Sequence, residues 1–180
     1  DFVGFKTAAI YAHGTAAKGA LTLNDCTFTD CNACINLESA DLTLTDVTFA
    51  SGSGTAVTMS GNRLTATQVT VDGRIYGSTD STPTVGFVLS SVTSTFDGCK
   101  FLRCQSNGST GCAGLLVKTD GGSATFADCE FSDNRLQGRP SGMFQNTGTL
   151  AFTHADGLPA GTTVEIDRGC VQGVVSADAK

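Results

Sequence analysis

The sequence predicts an all-β chain folded as a right-handed parallel β-helix, a three-sided solenoid of about six coils. Three observations carry this expectation. A short repeat runs in phase through most of the chain. Apolar and polar residues alternate inside each repeat. The composition holds 22 Gly, 3 Pro and no Trp, as suits a chain of many short strands that turns often but seldom through proline.

The clearest strand of the repeat is Asp25-Cys26-Thr27-Phe28, which aligns without gaps on Asp46-Val47-Thr48-Phe49, Gln68-Val69-Thr70-Val71, Gly98-Cys99-Lys100-Phe101 and Asp128-Cys129-Glu130-Phe131. Three residues before each Cys or Val stands another apolar side chain: Leu23, Leu44, Ala66, Phe96 and Phe126. A further one lies two residues earlier at Leu21, Leu42, Leu64 and Ala124. This is a second strand. A third recurs upstream at Ile35-Asn36-Leu37, Val57-Thr58-Met59, Val85-Gly86-Phe87, Leu115-Leu116-Val117 and Met143-Phe144, with Ile35, Val57, Val117 and Met143 each seven residues ahead of the second strand. Three strands per repeat of about 20 to 30 residues make one turn of a solenoid, because a unit this short buries its apolar face only by stacking on its neighbours. An antiparallel sandwich needs two-residue hairpin turns of the Asn-Gly kind at regular intervals, and Asn107-Gly108 is the one Asn-Gly dipeptide. The coils are expected over residues 1–157, with 158–180 as a degenerate last coil or a cap.

The alignment restricts the eight cysteines. Cys26, Cys99 and Cys129 share an inward position with Val47 and Val69 and read first as small core residues. Five residues on, Cys31, Gly52, Arg74, Cys104 and Asn134 share a corner. Neighbouring strands lie ~4.8 Å apart, so Cys31 and Cys104, three coils apart, are separated by ~14 Å and cannot bond. The permitted bridges are local: Cys31 with Cys34, Cys104 with Cys112, and Cys99 with Cys129 one rung above it. Cys26 and Cys170 remain thiols. Such bridges imply an oxidising compartment. The Cys31-x-x-Cys34 pair has no second pair to complete a zinc site, and His13 and His154 stand too far apart along the axis to help. No metal or cofactor is expected. Asn107-Gly108-Ser109 is a lone glycosylation sequon.

The repeat resembles those of the polymorphic outer membrane proteins, which carry Phe-x-x-Asn and Gly-Gly-Ala-Ile/Leu motifs. Phe131-Ser132-Asp133-Asn134 matches the first motif, and Phe28-Thr29-Asp30-Cys31 and Phe101-Leu102-Arg103-Cys104 carry Cys in place of its Asn. Gly19-Ala20-Leu21 and Gly111-Cys112-Ala113-Gly114-Leu115 are loose forms of the second. The resemblance implies a β-helix at the cell surface or in a secreted assembly, with scaffolding or adhesion as its role and no catalytic residues.

Pectate lyases and polygalacturonases resemble the chain in architecture and supply the rival reading, a polysaccharide-active enzyme. Their chemistry needs clustered carboxylates, or carboxylates with arginine and calcium, on one outward face. The outward positions here run Thr27, Thr48, Thr70, Lys100 and Glu130, the last two reading as an ion pair between rungs. Asp25, Asp46 and Asp128 recur at a bend, where Asp serves the turn. Asp72 completes the set an enzyme reading would examine first. His154 and Asp156 read as a terminal loop, and Asp120-Gly121-Gly122 as a turn. A minor reading is ice binding through a threonine ladder of Thr22, Thr43, Thr65, Thr95 and Thr125.

A net charge of −6 with 11 scattered basic residues offers no footprint for nucleic acid, and no apolar run is long enough to insert into a membrane. The chain therefore reads as a non-enzymatic structural or interaction module. Its expected partners are other protein segments or subunits covering the solenoid ends, with carbohydrate as a further candidate.

Overall fold

A computed structural model describes residues 1–13, 19–76, 84–106, 117–136, 144–146, 149–153 and 174–178. Its strands follow the repeat. In chain order they are β1 (Phe2–Val3), β2 (Ala8–His13) and β3 (Gly19–Asn24); β4 (Thr27–Thr29), β5 (Ala33–Glu38) and β6 (Ala40–Thr45); β7 (Thr48–Ala50), β8 (Val57–Ser60) and β9 (Arg63–Thr67); β10 (Thr70–Asp72), β11 (Ile75–Tyr76), β12 (Phe87–Ser90) and β13 (Thr93–Asp97); β14 (Lys100–Leu102), β15 (Gln105–Ser106), β16 (Val117–Asp120) and β17 (Ser123–Ala127); β18 (Glu130–Ser132), β19 (Arg135–Leu136), β20 (Phe144–Asn146) and β21 (Thr149–Thr153); and β22 (Val174–Asp178).

Every strand pairs in parallel with its equivalent one repeat away. Sheet one runs β1-β4-β7-β10-β14-β18, sheet two β2-β5-β8-β12-β16-β20, and sheet three β3-β6-β9-β13-β17-β21-β22. The expected alignment of the first two strands is found residue for residue. Phe28, Phe49, Val71, Phe101 and Phe131 form one rank, and Leu23, Leu44, Ala66, Phe96 and Phe126 another. Inward residues are buried and outward ones partly exposed, which is the alternation that strands with one covered face require.

The third strand departs from expectation in two coils. Phe87, rather than Val85, pairs with Val57, so Val85 and Gly86 belong to the corner before the strand. Phe87 then precedes Ser94 by the same seven residues, a match hidden in the sequence because Ser94 fills an apolar position. Its buried hydroxyl donates to Ser123 O at 2.9 Å, so its polarity is quenched inside the wall. In the last of these coils Phe144, not Met143, faces Val117, which shortens the step to Leu150 by one residue. Met143 itself lies outside the described residues, as do Leu115 and Leu116.

Four further strands lie outside the three-strand repeat. The two-residue strands β11, β15 and β19 form a small fourth sheet at the corner between sheets one and two. They appear where that corner lengthens. Within the segment 158–180, β22 pairs with β21, Thr149 facing Val174.

The corners explain the recurrent aspartates. Asp25, Asp46, Gln68, Gly98 and Asp128 all have φ between 49° and 59°, in the left-handed region that Asp tolerates better than most residues. Their amides still bond to the next coil, as from Asp46 N to Thr67 O at 3.1 Å. The hydrogen-bond ladder therefore turns the corner unbroken. A second left-handed rank, Asp30, Ser51, Gly73, Arg103 and Asp133, closes the other end of sheet one.

Gly52 is required where it stands. Its φ is +81°, and a Cβ there would lie 2.4 Å from Cys31 O, a backbone atom that has no room to retreat. Gly52→Ala is expected to destabilise the fold by about 2–4 kcal/mol, measured as a lower urea midpoint. A variant as stable as the parent would contradict this packing.

Candidate functional site

Thr22, Thr43, Thr65, Thr95 and Thr125 face one another across β3, β6, β9, β13 and β17, and Ala151 and Ser176 continue the rank. The neighbouring rank reads Asn24, Thr45, Thr67, Asp97 and Ala127, so the array changes chemistry after three coils.

On sheet one the charged residues neutralise each other between rungs. Lys100 faces Glu130, with Nζ 4.0 Å from Oε2 and both side chains about half exposed. Asp72 accepts a two-pronged bond from Arg103, Nε lying 2.9 Å from Oδ1 and Nη2 closing on Oδ2. Asp72 is thus committed to a guanidinium. Asp41 Oδ1 accepts the Arg63 amide at 3.0 Å. Beside the Asp72–Arg103 pair lies a recess of about 300 Å³ lined by Arg103, Cys104, Gln105 and Asp133. A larger open groove of about 590 Å³ runs along the corner at Asn32, Ser53, Thr55, Thr58 and Tyr76. Its polar groups are largely engaged within the wall: Ser53 donates to Asn32 Oδ1 and Thr55 to Thr84 O.

The most unusual side chain was not singled out from sequence. Arg74 is fully buried, in the inward column shared with Cys31, Gly52, Cys104 and Asn134. Nη2 donates to Cys31 O, Asn32 O and Gly54 O at 3.0, 2.9 and 2.9 Å. Nη1 donates to Ser51 O at 2.9 Å, and Nε to Val85 O at 3.2 Å. One guanidinium thus ties together three successive coils. Its partners are carbonyl dipoles and the Cys34 sulfur, 3.5 Å away, instead of a carboxylate. The clue in the sequence was an arginine falling in phase in an inward column.

The same column accounts for the Asn/Cys exchange in the Phe-x-x-Asn motif. Asn134 donates to Phe101 O at 2.8 Å and accepts from Cys104 N at 3.0 Å, stitching one coil to the next. Cys104 points its S–H at Val71 O, 3.7 Å away, and Cys31 points at Phe2 O, 3.5 Å away. These are the register-equivalent carbonyls. Cysteine therefore replaces asparagine as a smaller, weaker donor to the same acceptor.

The structure holds Cys26, Cys31, Cys34, Cys99, Cys104 and Cys129 as thiols. Of the expected bridges, Cys34 Sγ lies 4.0 Å from Cys31 O and Cys99 stands one rung from Cys129, while Cys112 and Cys170 lie outside the described residues. So do Asn107, His154 and Asp156. His13 pairs instead with Glu38 on the outer surface of sheet two. Among the described residues no three His, Cys, Asp or Glu converge on a common point, and the guanidinium beside Cys34 opposes any cation there.

Burial governs the thiols. It pushes Cys34 from an ordinary 9.0 up to about 12, against the opposing pull of Arg74, and Cys104 up to about 11. Both hold their protons to higher pH folded than unfolded. Their stabilisation is complete below about pH 9 and is lost as pH rises through 9 toward 11 and 12, at about 1.4 kcal/mol per pH unit for each thiol. Urea midpoints in reducing buffer should accordingly fall between pH 9 and 11, and fall less steeply in Cys34→Ala. Equal slopes would refute the assignment.

Comparison with known proteins places this architecture. The sequence matches the family described as right handed beta helix region over residues 8–158. The chain belongs to the right-handed β-helix family. The coils of this β-helix are thus the family's unit, and the resemblance read from the repeat is upheld at that level. No curated protein and no solved structure matches the β-helix.

Proposed function

We propose that this β-helix is a non-enzymatic scaffolding or adhesion module of a cell-surface or secreted protein. The observation that carries the reading is the placement of its carboxylates. Asp25, Asp46 and Asp128 stand at left-handed corners that aspartate suits, and Asp72 is bound by Arg103. A turn or an ion pair thus accounts for each carboxylate that an acid–base reaction would call on. In the first coil Phe2 stacks on Phe28 at 4.5 Å and tilts against Phe5 at 6.3 Å, while Val3 and Tyr11 are 64% and 63% exposed. Other protein segments or subunits are the partners this reading proposes for the solenoid ends, because an exposed strand edge is a template for pairing.

The competing reading, a pectate-lyase-like enzyme, draws on the Asp72–Arg103 pair beside its recess on the outward side of sheet one. A screen of polyuronides and neutral polysaccharides, with and without calcium, separates the two. The scaffold reading expects no unsaturated or reducing ends. Release that disappears in Asp72→Asn would establish the enzyme and also identify carbohydrate as the partner. Ice binding through Thr22, Thr43, Thr65, Thr95 and Thr125 is tested by thermal hysteresis, for which the broken second rank leads us to expect none. Accessibility of the tagged full-length protein to protease on intact cells tests the location.

A further inference from the structure

We propose that Cys99 and Cys129 are an oxidisable pair that closes into a disulfide between adjacent coils when the chain folds in the presence of a low-molecular-weight disulfide. Strands β14 and β18 are in register at Lys100 and Glu130, so the residues just before them face each other one rung apart, and Glu130 N donates to Cys99 O at 2.9 Å. A rung of ~4.8 Å falls inside the Cα separation that a disulfide spans. Both side chains point inward, at 0% and 1% exposure, and each S–H points at the register-equivalent carbonyl one coil back, Cys99 at Ala66 O, 3.4 Å away, and Cys129 at Phe96 O, 3.6 Å away.

Their surroundings separate them from the other thiols of the wall. Cys26 has Val47 as its rung neighbour, and Cys104 lies between Arg74 and Asn134. Only Cys99 meets a second cysteine across the coil boundary among the described residues. The neighbouring Cys129 thiol lowers that of Cys99, while Cys129 is raised by Cys99 and by burial.

The exchange is balanced. Cys99 gives up its proton and attacks one sulfur of glutathione disulfide, whose S–S bond breaks and releases one glutathione thiolate. The Cys129 thiolate then attacks the Cys99 sulfur of the mixed disulfide and expels the second. Two cysteine thiols are oxidised by two electrons, one glutathione disulfide is reduced to two thiols, and the two protons end on those thiols. Because both sulfurs are buried once the coils stack, the reaction belongs to the folding chain. It does not depend on the scaffold reading.

Peptide mapping tests this directly. The whole chain is reduced, unfolded, refolded in a glutathione redox buffer, acid-quenched and alkylated. Trypsin places Cys99 alone in residues 75–100 and Cys129 alone in 119–135, while Cys26, Cys31 and Cys34 share 19–63 and Cys104 and Cys112 share 104–118. The expected result is a joined 75–100/119–135 species that reduction separates, with a thermal midpoint above that of the reduced protein. Cys129→Val, which copies the residue found at positions 47 and 69 of the column, should fold, lack the species and lose the redox dependence of its midpoint. Recovery of both peptides as alkylated monomers from refolded protein, or of Cys99 joined to another peptide, overturns the proposal.

Discussion

Phe126→Ala is expected to cost about 4 kcal/mol and to be among the most damaging single truncations of the core. Its ring lies parallel between Phe96 and Phe152, with centroids at 4.6 and 4.9 Å, and meets the edges of Phe131 and Phe144 at 5.9 and 5.3 Å. Removing it opens a cavity whose walls are held by hydrogen-bonded coils on both sides, so little collapse relieves the loss. Phe2→Ala is the control. Phe2 stacks at 4.5 Å on a single ring in the first coil, and its loss should cost about 1 kcal/mol. Urea unfolding of the two variants decides the point. Equal costs would show that ring stacking along the axis does not govern this core.

Arg74→Met should be comparably severe, at about 3–5 kcal/mol. Methionine fills similar volume but removes the Arg74 donor from the carbonyls of Cys31, Ser51, Asn32 and Gly54, while Val85 O keeps the Ala56 amide at 3.0 Å, and buried acceptors cost about 1–3 kcal/mol each when stranded. Arg74→Lys is expected to rescue little. One ammonium has the charge but lacks the planar fork that reaches carbonyls in three coils at once. Full rescue by lysine would mean that charge, not geometry, holds the corner, and stability within 1 kcal/mol for Arg74→Met would remove Arg74 from the framework.

The stacked ranks could be read in advance because each position repeats one physical demand. Phe28, Phe49, Val71, Phe101 and Phe131 announce a buried column by recurrence alone. What escaped reading is where a different residue meets the same demand. Ser94 sits in an apolar column because Ser123 O quenches its hydroxyl, and Arg74 sits inside because backbone carbonyls solvate it. Hydropathy scores both as outward. The aspartates were legible as turn residues, but their shared cause is positive φ, which composition does not reveal. Cysteine counts invite bridges, whereas Cys31 and Cys104 stand in for asparagine at a corner and Cys26, Cys99 and Cys129 share a column with valine. The candidate interaction faces were visible only as outward positions; the pairing of Asp72 with Arg103 required the coordinates.

The coils differ in length, yet among the four that enter sheet two at Ile35, Val57, Phe87 and Val117 the difference is confined to one place. In these coils the path from sheet two to sheet three and from there to sheet one is constant, Val57 to Leu64 to Val71 repeating as Val117 to Ala124 to Phe131. Among them the passage from sheet one back to sheet two varies, from Phe28 to Ile35 in one coil to Phe101 to Val117 in another, whereas the outer coils also differ between sheets two and three, at Ile10 to Leu21 and Phe144 to Leu150. The molecule is therefore a ruler with decorated edges: whole coils are interchangeable units of length at ~4.8 Å each, while a single seam along its side accepts new sequence without disturbing the graduations. Recognition by such a protein can diversify along that seam while the spacing between its epitopes stays fixed.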